Sequence, residues 1–404
     1  QSIRDNEILL SKVQEQVNQQ VAVKETSVPS IASLQQEVLD NETLLLSYHL
    51  SESKLTLLAI AKDSIACFQR DLPSNFYGEI NAFIADLKKP ARITASGNGQ
   101  EYFHFFFGGI PLHHYRRLII IPDDVLNYLP FEALKNDQGR YVVEDFSVQY
   151  QYSTALLKRE KSELAGAGVL SFAPFSRSSS GGFLQLPNSV DEVRGLQGRQ
   201  FLDTAATKQH FLEQCGSFPV LHLATHAVVN SREDNLSYIA FWPAGNDHLL
   251  YAQEIYNLPL QHTQLVMLSA CETASGQLVK GEGVMSLSRA FRHAGCTNVI
   301  TTLWKANDFS TAYLTNRIHH YLEKGESIAS AVQQAKKDYL ADKTIHPRLK
   351  QPSYWSHLIF IGNVQEDQSF PILWFAAGGL VLILGLVFLF LSRKKSRKAG
   401  PRHS

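Results

Sequence analysis

The chain is 404 residues long and 44% hydrophobic, with 38 Lys+Arg against 38 Asp+Glu. That length admits two or three domains, and a net charge of zero with no basic stripe excludes a nucleic-acid binder drawn in by its field. Cys67, Cys215, Cys271 and Cys296 lack scaffold-like spacing, so no disulfide framework is required.

Taken from its start, the chain opens at Gln1, and methionine occurs only at Met267 and Met285, which reads as a processed or excised chain. Leu9, Leu10, Val13, Val17 and Val21 recur at near-helical spacing, so residues 1–30 are expected as a helical segment. Residues 43–49, 54–60, 102–107 and 118–121 are apolar runs bounded by turn residues and read as strands. Ala95 to Gly99 reads as a loop. Together they give a smaller α/β subdomain over 31–158.

A second subdomain, 159–364, opens with a strand at Val169–Phe172. Arg177 to Gly182 reads as an ordinary surface loop, though such loops also suit nicking or regulation. Helix 204–215 precedes a strand ending at Thr225. A strand at 265–270 is followed by helix 283–294, strand 299–303 and a helix over 309–323. Helix 326–341 and strand 357–361 complete the set. This alternation gives an α/β fold with a mainly parallel sheet and helices on both faces. Leu221, Leu223, Leu265, Val266, Leu268, Phe291, Val299, Ile300, Leu303 and Ile359 are the expected core. Gly281-Glu282-Gly283 lacks the Lys-Ser/Thr of a phosphate loop and reads as a turn entering a helix.

Beyond this, Pro371 to Leu391 is an almost continuous apolar run with no charge, and about 20 such residues span a bilayer as a helix. After a linker over 365–370, residues 371–391 are therefore expected as a transmembrane helix. The tail 392–404, with Arg393, Lys394, Lys395, Arg397, Lys398 and Arg402, is expected inside the cell and the body outside it. A tail anchor with a cytosolic body is the alternative.

Two strand ends carry the chemistry. Leu221–Thr225 stops at His226, and Leu265–Ala270 stops at Cys271. Open α/β sheets place their sites just beyond the carboxyl ends of strands. Only a thiolate attacks well, and an imidazole beside it takes the proton and later returns one. Attack on an amide carbonyl builds charge on oxygen, which backbone N–H groups stabilise. The N–H groups of Ala227 and Cys271 follow directly from the two strand ends and are the expected donors. His222, on the strand, reads as a buried, hydrogen-bonded residue, and Cys296 as core. His113-His114 and His319-His320 are adjacent pairs that point different ways, and no Cys-x-x-Cys pair occurs, so no metal site is expected.

These residues bring a resemblance. His222-Leu223-Ala224-Thr225-His226, Leu268-Ser269-Ala270-Cys271-Glu272-Thr273, Gly281-Glu282-Gly283-Val284, Arg289 to Gly295 and Thr302 to Asp308 resemble the CHAT family. Ile121-Pro122-Asp123 with Leu129 to Leu134 resembles the family's upstream segment. Pro352 to Trp355 with Phe360-Ile361-Gly362 resembles its closing strand. CHAT domains are caspase-like cysteine peptidases related to separase and often joined to tetratricopeptide repeats.

The resemblance implies a caspase-like fold, His226 as general base and Cys271 as nucleophile, with no cofactor. It suggests Asp308 as a carboxylate for a basic substrate side chain, against its alternative as a helix-start residue beside Asn307 and Ser310. Ala227 stands where the family has Gly, and a positive φ there would strain it. The expected function is a membrane-anchored cysteine endopeptidase. The alternatives are a non-catalytic signalling or adaptor module and an acyl hydrolase or transferase using the same dyad. Expected partners are a protein or peptide substrate, upstream tetratricopeptide repeats or an activating partner, and a lipid bilayer through 371–391. Nucleic acid is not expected.

Overall fold

Strands β1 (Thr43–Leu50) and β4 (Arg117–Ile121) show why this chain builds a sheet buried on both faces. Leu44, Leu46, Leu118 and Ile120 enter the main core. Leu45, Ile119 and Ile121, between them, enter a second core with Leu34, Val38 and Leu157. Successive side chains leave a strand on opposite faces, so a continuous apolar run signals cover on both sides. The computed structural model describes residues 28–90, 98–229, 236–245, 247–269, 272–273, 283–305 and 307–366.

The main sheet continues with β2 (Lys54–Ile60), β3 (Ile65–Asp71), β5 (Ser147–Tyr150), β7 (Val169–Ala173), β8 (Gly198–Leu202), β9 (Val220–Leu223), β13 (Leu265–Leu268), β15 (Val299–Thr302) and β16 (Leu358–Ile361). Its order is β3-β2-β1-β4-β5-β16-β15-β13-β9-β7-β8. The pairs β1–β4, β4–β5, β5–β16, β15–β13, β13–β9, β9–β7 and β7–β8 are parallel, while β1–β2, β2–β3 and β15–β16 are antiparallel. The mixed α/β expectation with a mainly parallel sheet is met, and the sheet runs unbroken across residue 158. A four-stranded sheet of β10 (Ala227–Val229), β11 (Tyr238–Ala240), β12 (Leu249–Tyr251) and β14 (Glu272–Thr273) is built from segments between β9 and β15, in the order β12-β11-β10-β14. The strands β6 (Arg159–Lys161) and β17 (Val364–Glu366) pair separately. All ten expected core residues are buried.

Several expectations are corrected. Residues 102–107 form the end of a helix, Asn98–Phe107, and not a strand. The aromatic run favours β structure intrinsically, but Tyr102 stacks on Phe106 and Phe103 meets Phe107 at 5.2 Å, a helical i,i+4 pattern that packs the core. The helix expected at 204–215 begins at Lys208, because the Thr207 side chain caps it by accepting from His210 N.

The expectation of a single-pass membrane protein does not stand. Among the described residues no helix is long and apolar enough to cross a membrane, and residues 371–391, with the tail 392–404, lie outside the described residues. An apolar run licenses only a length match to the bilayer, so the membrane anchor, the bilayer partner and the orientation drawn from the tail are withdrawn. Residues 1–27 and the loop at 95–97 also lie outside the described residues.

Candidate active site

β9 and β13 lie side by side in parallel, with Leu223 opposite Leu268. Beyond Leu223 the chain leaves the main sheet. Thr225 Oγ1 donates to Ala240 O at 2.6 Å, and Ala240 N donates to His226 O at 2.8 Å. These bonds turn the segment into β10. His226 thus stands at the junction of the two sheets and is 3% exposed.

Its ring is clamped. Phe175 lies 5.2 Å from it and Phe183 is stacked at 5.4 Å. Nε2 is 2.7 Å from the Leu184 carbonyl. A carbonyl only accepts, so Nε2 carries a proton and donates it, and in the neutral ring Nδ1 is then the basic nitrogen. The Leu184 carbonyl thereby fixes the orientation of the imidazole through Nε2–H.

Phe183 and Leu184 come from the loop between β7 and the helix Ser189–Val193. Ser180 and Phe183 bridge across Gly181 and Gly182, both at positive φ. A side chain at Gly181 would press on Pro243 and His248 at 3.3–3.4 Å. The loop's far end is held by Asp308, whose Oδ2 accepts from Asn188 N at 2.7 Å and Asn188 Nδ2 at 2.9 Å.

Cys271 and Ala270 lie outside the described residues. Both flanks of that pair are described and joined to the His226 segment. Ser269 N donates to Leu223 O at 3.2 Å. β14 pairs in parallel with β10, Val228 opposite Glu272 and Val229 opposite Thr273.

Ala227 is fully buried. Among the described residues the non-glycine positions of positive φ are Asp124 and Asp203, so Ala227 carries no such strain. The His226–Ala240 pair is hydrogen-bonded and Ala227 stands opposite Ile239. In an antiparallel ladder the next residue turns its N–H outward. Here that direction is the edge shared with β14.

A buried polar cluster lies beneath. His222 Nε2 is 3.2 Å from Glu192 Oε2 and 3.4 Å from Ser269 Oγ, and His222 Nδ1 is 3.0 Å from His319 Nε2. Thr315 Oγ1 adds a bond to Glu192 Oε2 at 3.3 Å. Burial raises the Glu192 carboxyl to about 8, helped by the charge of Asp308 and opposed by bonds from Ser269 and Thr315. Burial also depresses His222 to about 3 and His319 well below its usual range. Two groups pushed toward neutrality at once make a neutral hydrogen bond rather than an ion pair.

His222 is therefore the buried, hydrogen-bonded residue expected. Cys296 is core, its thiol pushed up to about 12 by burial. His319 is buried on His222 while His320 turns away, as expected of an adjacent pair, but His113 and His114 depart from that expectation with ring centroids 3.9 Å apart. The helix after Asn307 begins at Asp308, but Asn307 caps it, accepting from Ser310 N. Asp308 serves the neighbouring helix instead. Phe183, the Leu184 carbonyl and Glu192 gave no readable signal in the sequence. Among the described residues, no group of three or more His, Cys, Asp or Glu is placed to hold a metal.

A family model described as CHAT domain matches residues 108–363. Tetratricopeptide repeat protein 28 of Mus musculus is 21% identical over 313 residues, covering 63% of this chain and 12% of that protein. Its counterpart of the same name from Homo sapiens is 23% identical over 306 residues, with the same coverage. The chain thus spans about 12% of the length of these curated relatives. Among solved structures, the separase–securin complex of Saccharomyces cerevisiae superposes with a TM-score of 0.51 at 9% identity, covering 83% of this chain and 31% of that one. That likeness is one of fold.

Proposed function

From the premise that this chain belongs to the CHAT domain family, we propose that it is a caspase-like cysteine endopeptidase with Cys271 as nucleophile and His226 as general base. The supporting observation is that both flanks of residues 270–271 are hydrogen-bonded or strand-paired to the segment bearing His226. The proton of the Cys271 thiol passes to His226 Nδ1, and the thiolate attacks the peptide carbonyl. The N–H groups of Ala227 and Cys271 take the oxyanion. The imidazolium, steadied at Nε2–H by the Leu184 carbonyl, gives its proton to the leaving amine. Water, deprotonated by the same imidazole, then releases the acyl group from sulfur.

Asp308 holds the loop that supplies Leu184, and its charge suits a basic side chain of the substrate. Protein partners fit this reading: the curated relatives carry tetratricopeptide repeats by name, and the separase of the solved complex is bound to securin. An upstream repeat array is the partner we propose.

A peptide-binding module without catalysis is the second reading, favoured by the 3% exposure of His226 beneath Phe175 and Phe183. A peptide carrying a thiol-reactive electrophile separates the two. Covalent labelling that Cys271→Ala abolishes, together with cleavage of a peptide library by the parent, supports the peptidase. Equal labelling of the Cys271→Ala protein removes Cys271 as nucleophile. Ester turnover without peptide cleavage moves the same dyad to acyl hydrolysis.

A further inference from the structure

A cavity of about 620 Å³ lies at the end of the main sheet where β15 begins, the end opposite to the strand ends that lead to His226. Its volume lies within the range of small-molecule sites. Separate segments converge on it: the turn after β5, the last turns of the helix Gly283–His293, the start of β15 and the link between β16 and β17. The cysteine chemistry plays no part in it.

Arg289, Arg292 and His293 stand at i, i+3 and i+4 on that helix and so share one face. Ala290, Phe291 and Ala294 take the core on the other side. The resembling motif at 289–295 thus divides into packing residues and cavity residues. Arg292 donates to Thr297 O at 3.1 Å and to Leu156 O at 2.8 Å, which fixes its guanidinium in the wall. Arg289 lies over the Tyr152 ring at 4.8 Å, and Tyr256 meets His293 edge-on at 5.1 Å.

Lys158 adds a third permanent cation, and none of the described lining residues is acidic, in a chain whose net charge is zero. Glu160, whose charge reaches Arg292, has its oxygens taken by Asn298 Nδ2 at 2.6 Å and Asn363 Nδ2 at 2.9 Å. Burial lowers the pKa of Arg292, the mark of a cation drawn out of water. The rest of the wall is Tyr152, Tyr256, Ala155 and Leu156, with Thr297 and Asn363 at its polar side. Flat apolar walls with convergent cations select a flat apolar body carrying a negative charge. Arginine is the side chain best matched to phosphate, and tyrosine faces stack on rings.

We propose that this cavity binds a small aromatic phosphate, its phosphate toward Arg289 and Lys158 and its ring against Tyr152, Tyr256 and Leu156. Calorimetric titration of the full chain with 1-naphthyl phosphate is expected to show one saturable site. Inorganic phosphate, without the ring, and 1-naphthol, without the charge, should each bind at least about tenfold more weakly. Leu156→Trp, which fills the cavity, should weaken binding about tenfold or more, and so should Arg289→Gln. Lys158→Gln alters an exposed side chain and should weaken it without touching the core. Cys271→Ala should bind as the parent does, which keeps this test apart from the peptidase one. No saturation up to about 5 mM, equal affinity for 1-naphthol, or binding unchanged in all three cavity variants would overturn the proposal.

Discussion

Glu192 Oε2 lies 3.2 Å from His222 Nε2, a contact between two fully enclosed side chains from different elements. It joins the helix Ser189–Val193, whose preceding loop reaches His226, to β9, which leads into His226. Ser269, at the end of β13, touches the same ring. Three segments of the candidate site therefore rest on one neutral cluster. Glu192→Ala should destabilise the protein by about 1–3 kcal/mol, because it leaves a buried imidazole nitrogen with only its longer contact to Ser269. Glu192→Gln, which keeps a donor and an acceptor, should lose less than half of that. Urea unfolding monitored by fluorescence gives both values, and equal stability of the parent and Glu192→Ala would refute the cluster's structural weight.

The same cluster sets a pH dependence of stability. Glu192 has a folded value of about 8, above its unfolded one. Its contribution is fully present below the unfolded carboxylate value and is lost as pH rises through about 8. His222, at about 3, is depressed, so its contribution is present above the unfolded imidazole value and is lost as pH falls toward 3. His319 and His357 are depressed by burial as well and act in the same direction. The thermal midpoint of the parent should fall on the alkaline side, between the unfolded carboxylate value and about 8. Glu192→Gln should flatten that limb and leave the acid limb in place.

How much of this could be read from the sequence follows from the range over which each feature acts. β1, β4, β9 and β13 were legible because runs dominated by Leu, Ile and Val mean burial on both faces. His226 was legible as the residue past such a run. The helix Asn98–Phe107 was not, since six aromatic or polar residues in a row satisfy either period and only the packing of Tyr102 on Phe106 decides. The Leu184 carbonyl was invisible because every residue owns one. Glu192 was invisible because its partners His222 and Thr315 stand 30 and 123 residues away.

The loop that supplies Leu184 should control activity. Gly181 has a φ of +59°, and an added Cβ would press on Pro243 and His248. Gly181→Val should move the Leu184 carbonyl off Nε2 and release the imidazole. If His226 is the base, kcat should fall about 10²-fold or more, the range expected of general base catalysis, with KM changed less. Circular dichroism checks that the fold survives. Unchanged kcat in a folded Gly181→Val protein would show that Leu184 does not orient the base.

Lys336 and Glu132 form a fully buried ion pair at 2.7 Å, and Tyr150 donates to the same carboxylate. It ties the segment Phe131–Ala133 to the helix Ile328–Ala341. Lys336→Met alone should cost about 3–5 kcal/mol, since it strands a buried carboxylate. Glu132→Leu combined with Lys336→Met should recover most of that loss, because replacing both charges removes two desolvation costs. Denaturant midpoints of the two single variants and the double variant give the coupling directly, and additive losses would deny the pair.

Asp308 offers the sharpest separation between architecture and specificity. Its Oδ2 takes both hydrogen bonds from Asn188, so removing the carboxylate should loosen the start of the helix Ser189–Val193 and the loop before it. Asp308→Asn keeps an acceptor oxygen for Asn188 and removes only the charge. If Asp308 serves the loop alone, Asp308→Asn should cleave the same peptides as the parent, while Asp308→Ala should lower kcat on all of them. If its charge also receives a basic side chain, Asp308→Asn should lose about 1–3 kcal/mol of transition-state binding for Arg or Lys peptides, the scale of a charge-assisted hydrogen bond, and nothing for neutral ones. Comparing kcat/KM for matched Arg and Gln peptides reads the difference. The charge of Asp308 also helps to raise Glu192, so Asp308→Asn should shift the alkaline limb of the stability profile to lower pH even where cleavage is unchanged.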